Sequence, residues 1–351
     1  MARSRLKQRC ALVVWRQARD TARSPLWTCL WSIAYHDMMK LSITALTLLF
    51  ACSPLQSVGV QDKPVLKVFL LAGQSNMEGQ GVVDLDHEEY YNGGRGILTR
   101  VLEDPDIARE FGHWRGDDGN WIKRDDVFVW YQPARGPLKA GPLSIGYAVY
   151  EDLHHFGPEM ELGWVLGEHF EEPVLLIKTA WGGKSLMKDF RPPSSGGEVG
   201  PYYEQTLSEY AAAIAGFEKR FPELAGCEAQ LSGFIWFQGW NDMFVEGALK
   251  SYSENLVNLV RDLSDHFSEP NLPFIVGQTG NADNQDLWAA QEQATKWPAF
   301  AGRASYVPTR SFLRKPEDSP NTGHGHHWFG NAESYLRIGK ALGQAMVELI
   351  D

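Results

Sequence analysis

The sequence predicts an α/β fold built around a mostly parallel sheet. Short apolar runs alternate along the chain with longer amphipathic stretches, which is the pattern of repeated strand–helix units. Several of these runs are followed directly by motifs rich in glycine and polar residues, as expected where parallel strands end and ligands bind. No internal repeat or linker divides the chain, so residues 62–351 are predicted to form one domain with a long insertion at about 84–125.

The apolar runs predict five strands, over residues 65–71, 174–177, 233–237, 273–277 and 304–307. Helices are predicted near 161–171, 204–220, 246–267 and 286–296, with a last helix over 332–349 that places its apolar residues on one side. Residues 84–125 break this rhythm and are rich in Gly, Asp, Trp and His. We interpret them either as a wall of a binding site or as a surface insertion without a role.

The first 61 residues are predicted to be a leader and signal segment. Met39 and Lys40 precede a short apolar run and then small residues, which is the order found in a secretory signal. Residues 1–38 are interpreted either as untranslated sequence or as an unusually long leader. The segment ending at Cys52 resembles a lipoprotein cleavage box, so a lipid anchor and simple release both stay open. We expect a secreted or periplasmic protein that contacts a membrane only if it is lipidated at Cys52.

The charge balance argues against a nucleic-acid partner. The chain has 33 Lys and Arg against 44 Asp and Glu, and the first 61 residues hold eight of the basic and two of the acidic groups. Residues 62–351 therefore carry 25 basic and 42 acidic groups, a net charge of −17 that would repel phosphate backbones. Only Cys227 lies beyond the predicted signal segment, so we expect no intrachain disulfide.

A serine follows the first predicted strand, in the motif GQSNM at residues 73–77. In a strand-to-helix turn, Ser75 would expose its hydroxyl and keep a free backbone N–H at the start of the helix. These are the requirements of a nucleophile that also supplies part of an oxyanion hole. The alternative is a helix-capping serine, and the Gly-x-Ser-x-Gly elbow of α/β-hydrolases is not present because Met77 occupies its last position.

Two further motifs offer oxyanion donors. Asn241 lies in the motif WFQGWND at residues 236–242, after the third predicted strand, and could direct its amide toward a developing oxyanion. The alternative there is a turn held by Asx hydrogen bonds. Gly182 and Gly183 follow the second strand, where paired glycines allow a close backbone approach with free N–H groups.

Three histidines precede the last predicted helix, in the motif HGHHWFG at residues 324–330. A histidine at this point can reach across the edge of the sheet and act as the general base for a serine. A metal site is the rival interpretation, although no further cysteine or Glu-x-x-His cluster completes a ligand set. Exposed loop histidines are the third interpretation. We expect no metal and no cofactor.

Together these motifs resemble the SGNH-hydrolase superfamily, in particular its sialate O-acetylesterase and acetylxylan-esterase-like branch. The resemblance rests on GQSNM, AWGG at 180–183, QGWND at 238–242 and HWFG at 327–330, in the order of the family, and covers roughly residues 64–350. It implies a flavodoxin-like, three-layer α/β/α sandwich with a parallel sheet. It also implies that Ser75 is the nucleophile and His327 the base. The backbone N–H groups of Ser75 and Gly183 and the side chain of Asn241 would form the oxyanion hole.

One position departs from the superfamily, which usually has an aspartate three residues before the histidine. This chain has His324 there, so the acid of the family has no counterpart at that position. Asp318 is predicted to replace it, and Glu317, on the same loop, is the other carboxylate considered. A Ser–His dyad oriented by a backbone carbonyl is the alternative to both.

The predicted function is a secreted serine esterase that removes O-acetyl groups from carbohydrate through an acyl-enzyme. Gln74, Gln238 and Trp240 are predicted to bind the acetylated carbohydrate. Four tryptophans could stack on sugar rings or lie in the core, namely Trp114, Trp121, Trp181 and Trp240. The alternative from another class is a catalytically silent carbohydrate-binding protein on the same scaffold, and a lipase or thioesterase would differ only in its pocket.

Overall fold

The computed structural model describes residues 63–351, and the predicted leader with Cys52 lies outside these residues. The strands are β1 (Val65–Gly73), β2 (Gly81–Val82), β3 (Val127–Tyr131), β4 (Lys139–Pro142), β5 (His155–Phe156), β6 (Val174–Ala180), β7 (Glu228–Phe237), β8 (Phe274–Gly277) and β9 (Ala304–Val307). The α-helices are α1 (Ser75–Glu78), α2 (Leu98–Val101), α3 (Pro105–Phe111), α4 (Glu159–His169), α5 (Pro201–Arg220), α6 (Ala248–Phe267), α7 (Gln285–Thr295) and α8 (Ala332–Ile350). No helix in residues 63–351 is long and apolar enough to cross a membrane.

Seven strands form the central sheet, in the order β4-β3-β6-β1-β7-β8-β9. Every neighbouring pair is parallel except β3 with β4. Strand β1 lies between β6 and β7, and its last residue, Gly73, is in register with Ala180 on one side and Phe237 on the other. The carboxyl ends of β1, β6 and β7 therefore lie side by side, which brings together the motifs that follow them.

Helices cover both faces of the sheet, because the apolar side chains of β1 alternate between two cores. Leu70 belongs to a buried cluster with Phe217 of α5 and Leu256 of α6. Its neighbour Leu71 faces the other way, into a cluster that includes Leu336 of α8. The predicted three-layer α/β/α sandwich with a mostly parallel sheet is confirmed.

All five predicted strands and all five predicted helices are present, with shifted ends. The largest shift is in β7, which begins at Glu228 rather than at residue 233. Strands β2 to β5 were not predicted. β2 and β5 are two residues each and form a separate sheet. β3 and β4 form an antiparallel pair with no helix between them, so they do not follow the strand–helix alternation that identified the other strands.

Residues 84–125 pack against the core on the α8 side of the sheet instead of over the carboxyl ends of the strands. The segment contains α2 and α3, and its Phe111 and Trp114 are fully buried. The indole Nε1 of Trp114 donates a hydrogen bond to Glu161 Oε2 of α4 at 2.7 Å. No residue of this segment lines the cavity that contains Ser75, so it enlarges the core and does not form a wall of that cavity.

Candidate active site

Ser75 lies in the turn between β1 and α1, on the wall of a cavity. Gln74 is extended, with φ −113° and ψ −155°, and α1 begins at the next residue, so the chain turns sharply at the edge of the sheet. The Ser75 side chain forms no hydrogen bond with any residue of the described chain. Its backbone N–H, at the first position of a helix, has no intrahelical acceptor. Both groups are therefore available to a ligand.

The loop after β6 brings two glycines against this turn. A Cβ atom on Gly182 would lie 3.6 Å from Ser75 Cβ and 2.9 Å from Glu78 Oε2, so a larger residue would push the loop away from the serine. Gly183 has a φ of +75°, a conformation that favours glycine. Gly183 lines the same cavity as Ser75.

Asn241 joins these two elements. Its Nδ2 donates to the backbone oxygen of Gly183 at 2.9 Å, and its Oδ1 accepts from Gln74 Nε2 at 2.9 Å. Because an amide nitrogen carries two hydrogens, one N–H of Asn241 stays available to a ligand. Gln74 Oε1 also accepts from the Gly239 N–H at 3.1 Å. Gln74 thus lines the cavity while its amide holds the Asn241 side chain in place, and its role in binding substrate stays a prediction.

Gln238 lies beneath the cavity and does not line it. Its side chain is 1% exposed, with Nε2 donating to Asp242 Oδ2 at 2.7 Å and Oε1 accepting from the Tyr252 hydroxyl at 3.0 Å. Asp242 in turn accepts two backbone N–H groups from the chain after Gly183. The structure therefore gives Gln238 a place in a buried network that fastens the glycine loop, away from the surface that a substrate would contact.

His327 is carried by a tight turn over residues 325–330, directly before α8. Asn76, the neighbour of Ser75, donates from Nδ2 to the backbone oxygen of His326 at 3.1 Å. The Tyr335 hydroxyl of α8 donates to Asn76 Oδ1 at 2.8 Å. Asn76 therefore fixes the histidine turn relative to the serine turn, although the two are some 250 residues apart in the chain.

The same turn holds two residues in an uncommon backbone conformation. Trp328 and Phe329 both have φ +55°, a left-handed conformation that costs free energy in residues with a side chain. Asn281 opposes this cost, because its Nδ2 donates to the backbone oxygens of Gly325 at 3.1 Å and His326 at 2.8 Å. Backbone strain held by surrounding contacts is frequent at functional sites.

No carboxylate accompanies His327. In the described part of the chain its ring forms no hydrogen bond, and the groups that act on it are other histidines. Burial, then His326 and His324, lower the pKa of His327 to about 4. The ring is therefore neutral at pH 7, as a general base requires. It lines the same cavity as Ser75, and the hydrogen bonds between such groups often form only when substrate is bound.

Asp318, the predicted acid, lies on a different surface. It is exposed and lines a separate hollow with Arg95, and it does not line the cavity of His327. Its backbone oxygen accepts from Asn331 Nδ2 at 3.1 Å, which holds the segment in place without using the carboxylate. Glu317 is exposed as well. The structure thus brings neither carboxylate to the histidine, because both follow the outer side of the loop.

The three histidines do not assemble a ligand set. The ring centroids of His326 and His327 are 4.1 Å apart, and that of His324 lies 5.5 and 6.2 Å from them. Throughout residues 63–351, no group of three or more His, Cys, Asp or Glu side chains is arranged to hold a metal ion. The rival interpretation of this motif as a metal site therefore gains no support from the geometry.

The cavity has a volume of about 440 Å³, within the range of small-molecule sites. Trp240 lies at its rim next to Phe244, with ring centroids 6.4 Å apart, and Phe244 is 73% exposed. Trp240 is thus placed to contact a sugar ring. Trp114 and Trp181 are buried in the core, and Trp121 does not line the cavity.

Several residues of the site were missed in the sequence. The cavity is also lined by Glu78, Gln80, Val149, Tyr150 and Phe244. Asn76 lies within the GQSNM motif, and Asn281 follows β8 at the same edge of the sheet, so the rule that placed the other motifs could have found both. Tyr150, whose hydroxyl donates to Gln80 Oε1 at 2.7 Å, follows β3 and β4, which were not predicted.

We expect the predicted esterase activity to persist into acidic solution. His327, the predicted base, must be neutral in the free enzyme, so kcat/KM should fall only as the pH decreases through about 4, the pKa of this histidine, instead of near the ~6.5 of an ordinary histidine. The measurement is kcat/KM for p-nitrophenyl acetate across the acidic range, with circular dichroism at each pH to exclude unfolding. An acidic limb centred near ~6.5 would contradict the environment assigned to this ring.

The three-layer fold, with a serine turn, a glycine loop and a histidine turn around one cavity, is the arrangement of the SGNH hydrolases. A family model described as "Carbohydrate esterase, sialic acid-specific acetylesterase" matches residues 65–348. The chain belongs to this family, and the resemblance predicted from its motifs is confirmed.

The individual proteins that this chain resembles share little of its sequence. A "Probable carbohydrate esterase" from Arabidopsis thaliana is 24% identical over 222 residues, which span 61% of this chain and 72% of that protein. An X-ray structure of an Arabidopsis thaliana protein superimposes with a TM-score of 0.50 at 16% identity, over 81% of this chain and 98% of the other. A carbohydrate acetylesterase from Xanthomonas citri gives a TM-score of 0.42 at 14% identity, over 79% and 56%. The first of these structures shares the fold, and membership of the family rests on the family match.

Proposed function

We propose that this carbohydrate esterase is a serine O-acetylesterase that works through an acyl-enzyme, with Ser75 as nucleophile and His327 as general base. The observation that carries the proposal is one cavity lined by the unbonded Ser75 side chain, the His327 ring and three candidate oxyanion donors. These donors are the N–H groups of Ser75 and Gly183 and the free N–H of the Asn241 amide. No further chemistry is needed to cleave an acetyl ester.

In the first half of the reaction, Ser75 Oγ attacks the carbonyl carbon of the acetyl group and its proton passes to His327. The oxyanion that forms accepts hydrogen bonds from Ser75, Gly183 and Asn241, groups that are already held in place and need no reorganisation. The bond from the carbonyl carbon to the sugar oxygen then breaks, and His327 returns its proton to that oxygen. The deacetylated sugar leaves, and the acetyl group stays on Ser75.

In the second half, His327 takes a proton from water, and the resulting hydroxide adds to the acetyl carbonyl at the same oxyanion site. Collapse of this intermediate releases acetate, and Ser75 recovers its proton from His327. Because no carboxylate approaches the ring in the described residues, the pair works as a dyad. In place of a carboxylate, the hydrogen bonds that Asn76 and Asn281 donate to the backbone of the histidine turn orient His327.

Acetate release tests the proposal. The purified protein should hydrolyse p-nitrophenyl acetate and release acetate from at least one member of a panel of O-acetylated sugars and polysaccharides. The proposed reaction uses no metal, so EDTA should leave the rate of hydrolysis unchanged. A large loss of activity that zinc restores would contradict this mechanism. Binding of acetylated glycans without any release of acetate would instead identify a catalytically silent binding protein.

We also propose that the protein is exported. The support is the basic, apolar and small-residue order of the segment from Met39 to Cys52. Expression of the full chain in a bacterial host, followed by fractionation and N-terminal sequencing, tests this. An unprocessed protein in the cytoplasmic fraction would overturn it, and incorporation of radiolabelled palmitate that is lost in Cys52→Ala would show a lipid anchor.

A further inference from the structure

The charge of the cavity wall bears on the choice of substrate. Of the described residues that line the cavity, Glu78 carries the only carboxylate, and none is a lysine or an arginine. Its two histidines, His326 and His327, both have a pKa lowered by burial and by neighbouring histidines, so neither supplies a positive charge at neutral pH. Lys184 directly follows the cavity-lining Gly183, but it does not line the cavity, and its Nζ lies 3.5 Å from Asp189 Oδ1.

Glu78 stands beside the reacting groups. It is the last residue of α1, three positions after Ser75, and only 5% exposed. Its Oε2 would be 2.9 Å from a Cβ atom on Gly182, so the carboxylate lies against the glycine loop. Burial raises the pKa of Glu78, while the Gly182 N–H and the charge of Lys178 oppose that rise.

Among the described residues, no cation is bonded to the side-chain carboxyl group of Glu78. Lys178 is the cation whose charge acts on Glu78. Its Nζ donates three hydrogen bonds, to Glu159 Oε2 at 2.9 Å, to the backbone oxygen of Glu78 at 2.8 Å and to that of Tyr147 at 2.7 Å, and none of these reaches the Glu78 side chain. The ion pair of Lys178 with Glu159 is fully buried and neutral as a pair. Glu78 therefore places a carboxyl group on a cavity wall whose described residues include no lysine or arginine to pair with it.

We propose that this site takes uncharged O-acetylated sugars and discriminates against sugars that carry a carboxylate, such as sialic and uronic acids, with Glu78 as the residue that sets the discrimination. Proteins usually bind carboxylates through arginine, which pairs with both oxygens. Here an anionic sugar would instead meet a like charge in a partly desolvated cavity, where repulsion is screened less than in water. The inference rests on the proposed esterase function and separates this chain from the sialic acid specificity in the description of its family.

The test compares two substrates that differ only in charge. The fully O-acetylated methyl glycoside of glucuronic acid and its methyl ester have the same ring and the same acetyl groups. At pH 7 we expect kcat/KM of the wild-type protein to be at least ~10-fold higher for the methyl ester, the scale of the repulsion between two like charges about 10 Å apart at an effective dielectric constant of about 20. O-acetylated sialic acid and its methyl ester should show the same preference.

The variant Glu78→Gln removes the charge and keeps an acceptor for the Gly182 N–H. It should raise kcat/KM for the free acid and bring the ratio to within about 3-fold of unity, since the repulsive interaction is removed. Glu246→Gln is the matched control, because Glu246 is exposed and does not line the cavity, and it should leave the ratio unchanged. If Glu78→Gln does not fold, the wild-type ratio alone decides.

Equal or better turnover of the free acid by the wild-type protein would overturn the inference while the esterase function stands. The same ratio in Glu78→Gln as in Glu246→Gln would remove Glu78 as the determinant. Failure to hydrolyse any of these esters, p-nitrophenyl acetate included, would overturn the proposed function itself and the inference with it.

Discussion

Ser75→Ala should reduce ester hydrolysis by at least ~10⁴-fold, because the acyl-enzyme cannot form without the hydroxyl. The remaining groups, namely the oxyanion donors and the histidine, would leave a small residual rate over water. The measurement is kcat/KM for p-nitrophenyl acetate and for an acetylated sugar. A fluorophosphonate probe should label the wild-type protein at Ser75, as located by peptide mass spectrometry, and should not label the variant.

The loss should be separable from unfolding. The Ser75 side chain makes no hydrogen bond within the described residues, so its removal should change the free energy of unfolding by less than about 1 kcal/mol. Thermal unfolding of the two proteins checks this. Labelling at another serine, or activity within 10-fold of wild type in a folded variant, would show that the nucleophile lies elsewhere, a 10-fold change being only about 1.4 kcal/mol of transition-state stabilisation.

His327→Ala should lower kcat by at least ~10³-fold, since both the activation of Ser75 and the protonation of the leaving sugar pass through this ring. KM should change little if the ring acts mainly in the transition state. Steady-state kinetics on the same two substrates measures both constants. The loss should shrink with acetyl esters of good leaving groups, which need no proton from the enzyme.

Two control variants distinguish this role from a general effect of the loop. His324→Gln changes an exposed histidine of the same motif, and Asp318→Asn removes the exposed carboxylate that the sequence offered as the acid. Both should keep kcat within a few-fold of wild type. A loss of ~10²-fold or more in Asp318→Asn would show that the carboxylate reaches His327 during catalysis, and a triad would then replace the dyad.

Much of the fold could be predicted from the chain, because a parallel α/β sheet leaves strong local signals. Each apolar run of five or so residues, such as the one that became β1, alternates with an amphipathic helix. The position of Ser75, Asn241 and the glycine pair also followed from one rule, that ligands bind at the carboxyl ends of parallel strands. Those residues now line one cavity.

What the sequence could not provide was the direction of individual side chains. Gln238 and Asn241 are three residues apart in one motif, yet one faces the buried network and the other the cavity. Asp318 is close to His327 along the chain, which is why the sequence predicts it as the acid, but it is exposed and lines a separate hollow. Nothing in the sequence indicated that Glu78 lines the cavity, because the glycine loop that packs against its carboxyl group follows β6, far along the chain.

The central position of β1 has a consequence for how the protein is made. This strand is the first of the described chain, but its partners, β6 and β7, begin at Val174 and Glu228. A growing polypeptide must therefore keep nine mainly apolar residues unpaired while more than a hundred others are synthesised. Such non-local pairing slows folding and leaves unpaired strand edges exposed, which makes the incomplete chain prone to aggregation. The nascent chain is thus expected to depend on chaperones, and the cavity is complete only after the segment that supplies the histidine turn and the Tyr335 hydroxyl bound to Asn76 has left the ribosome.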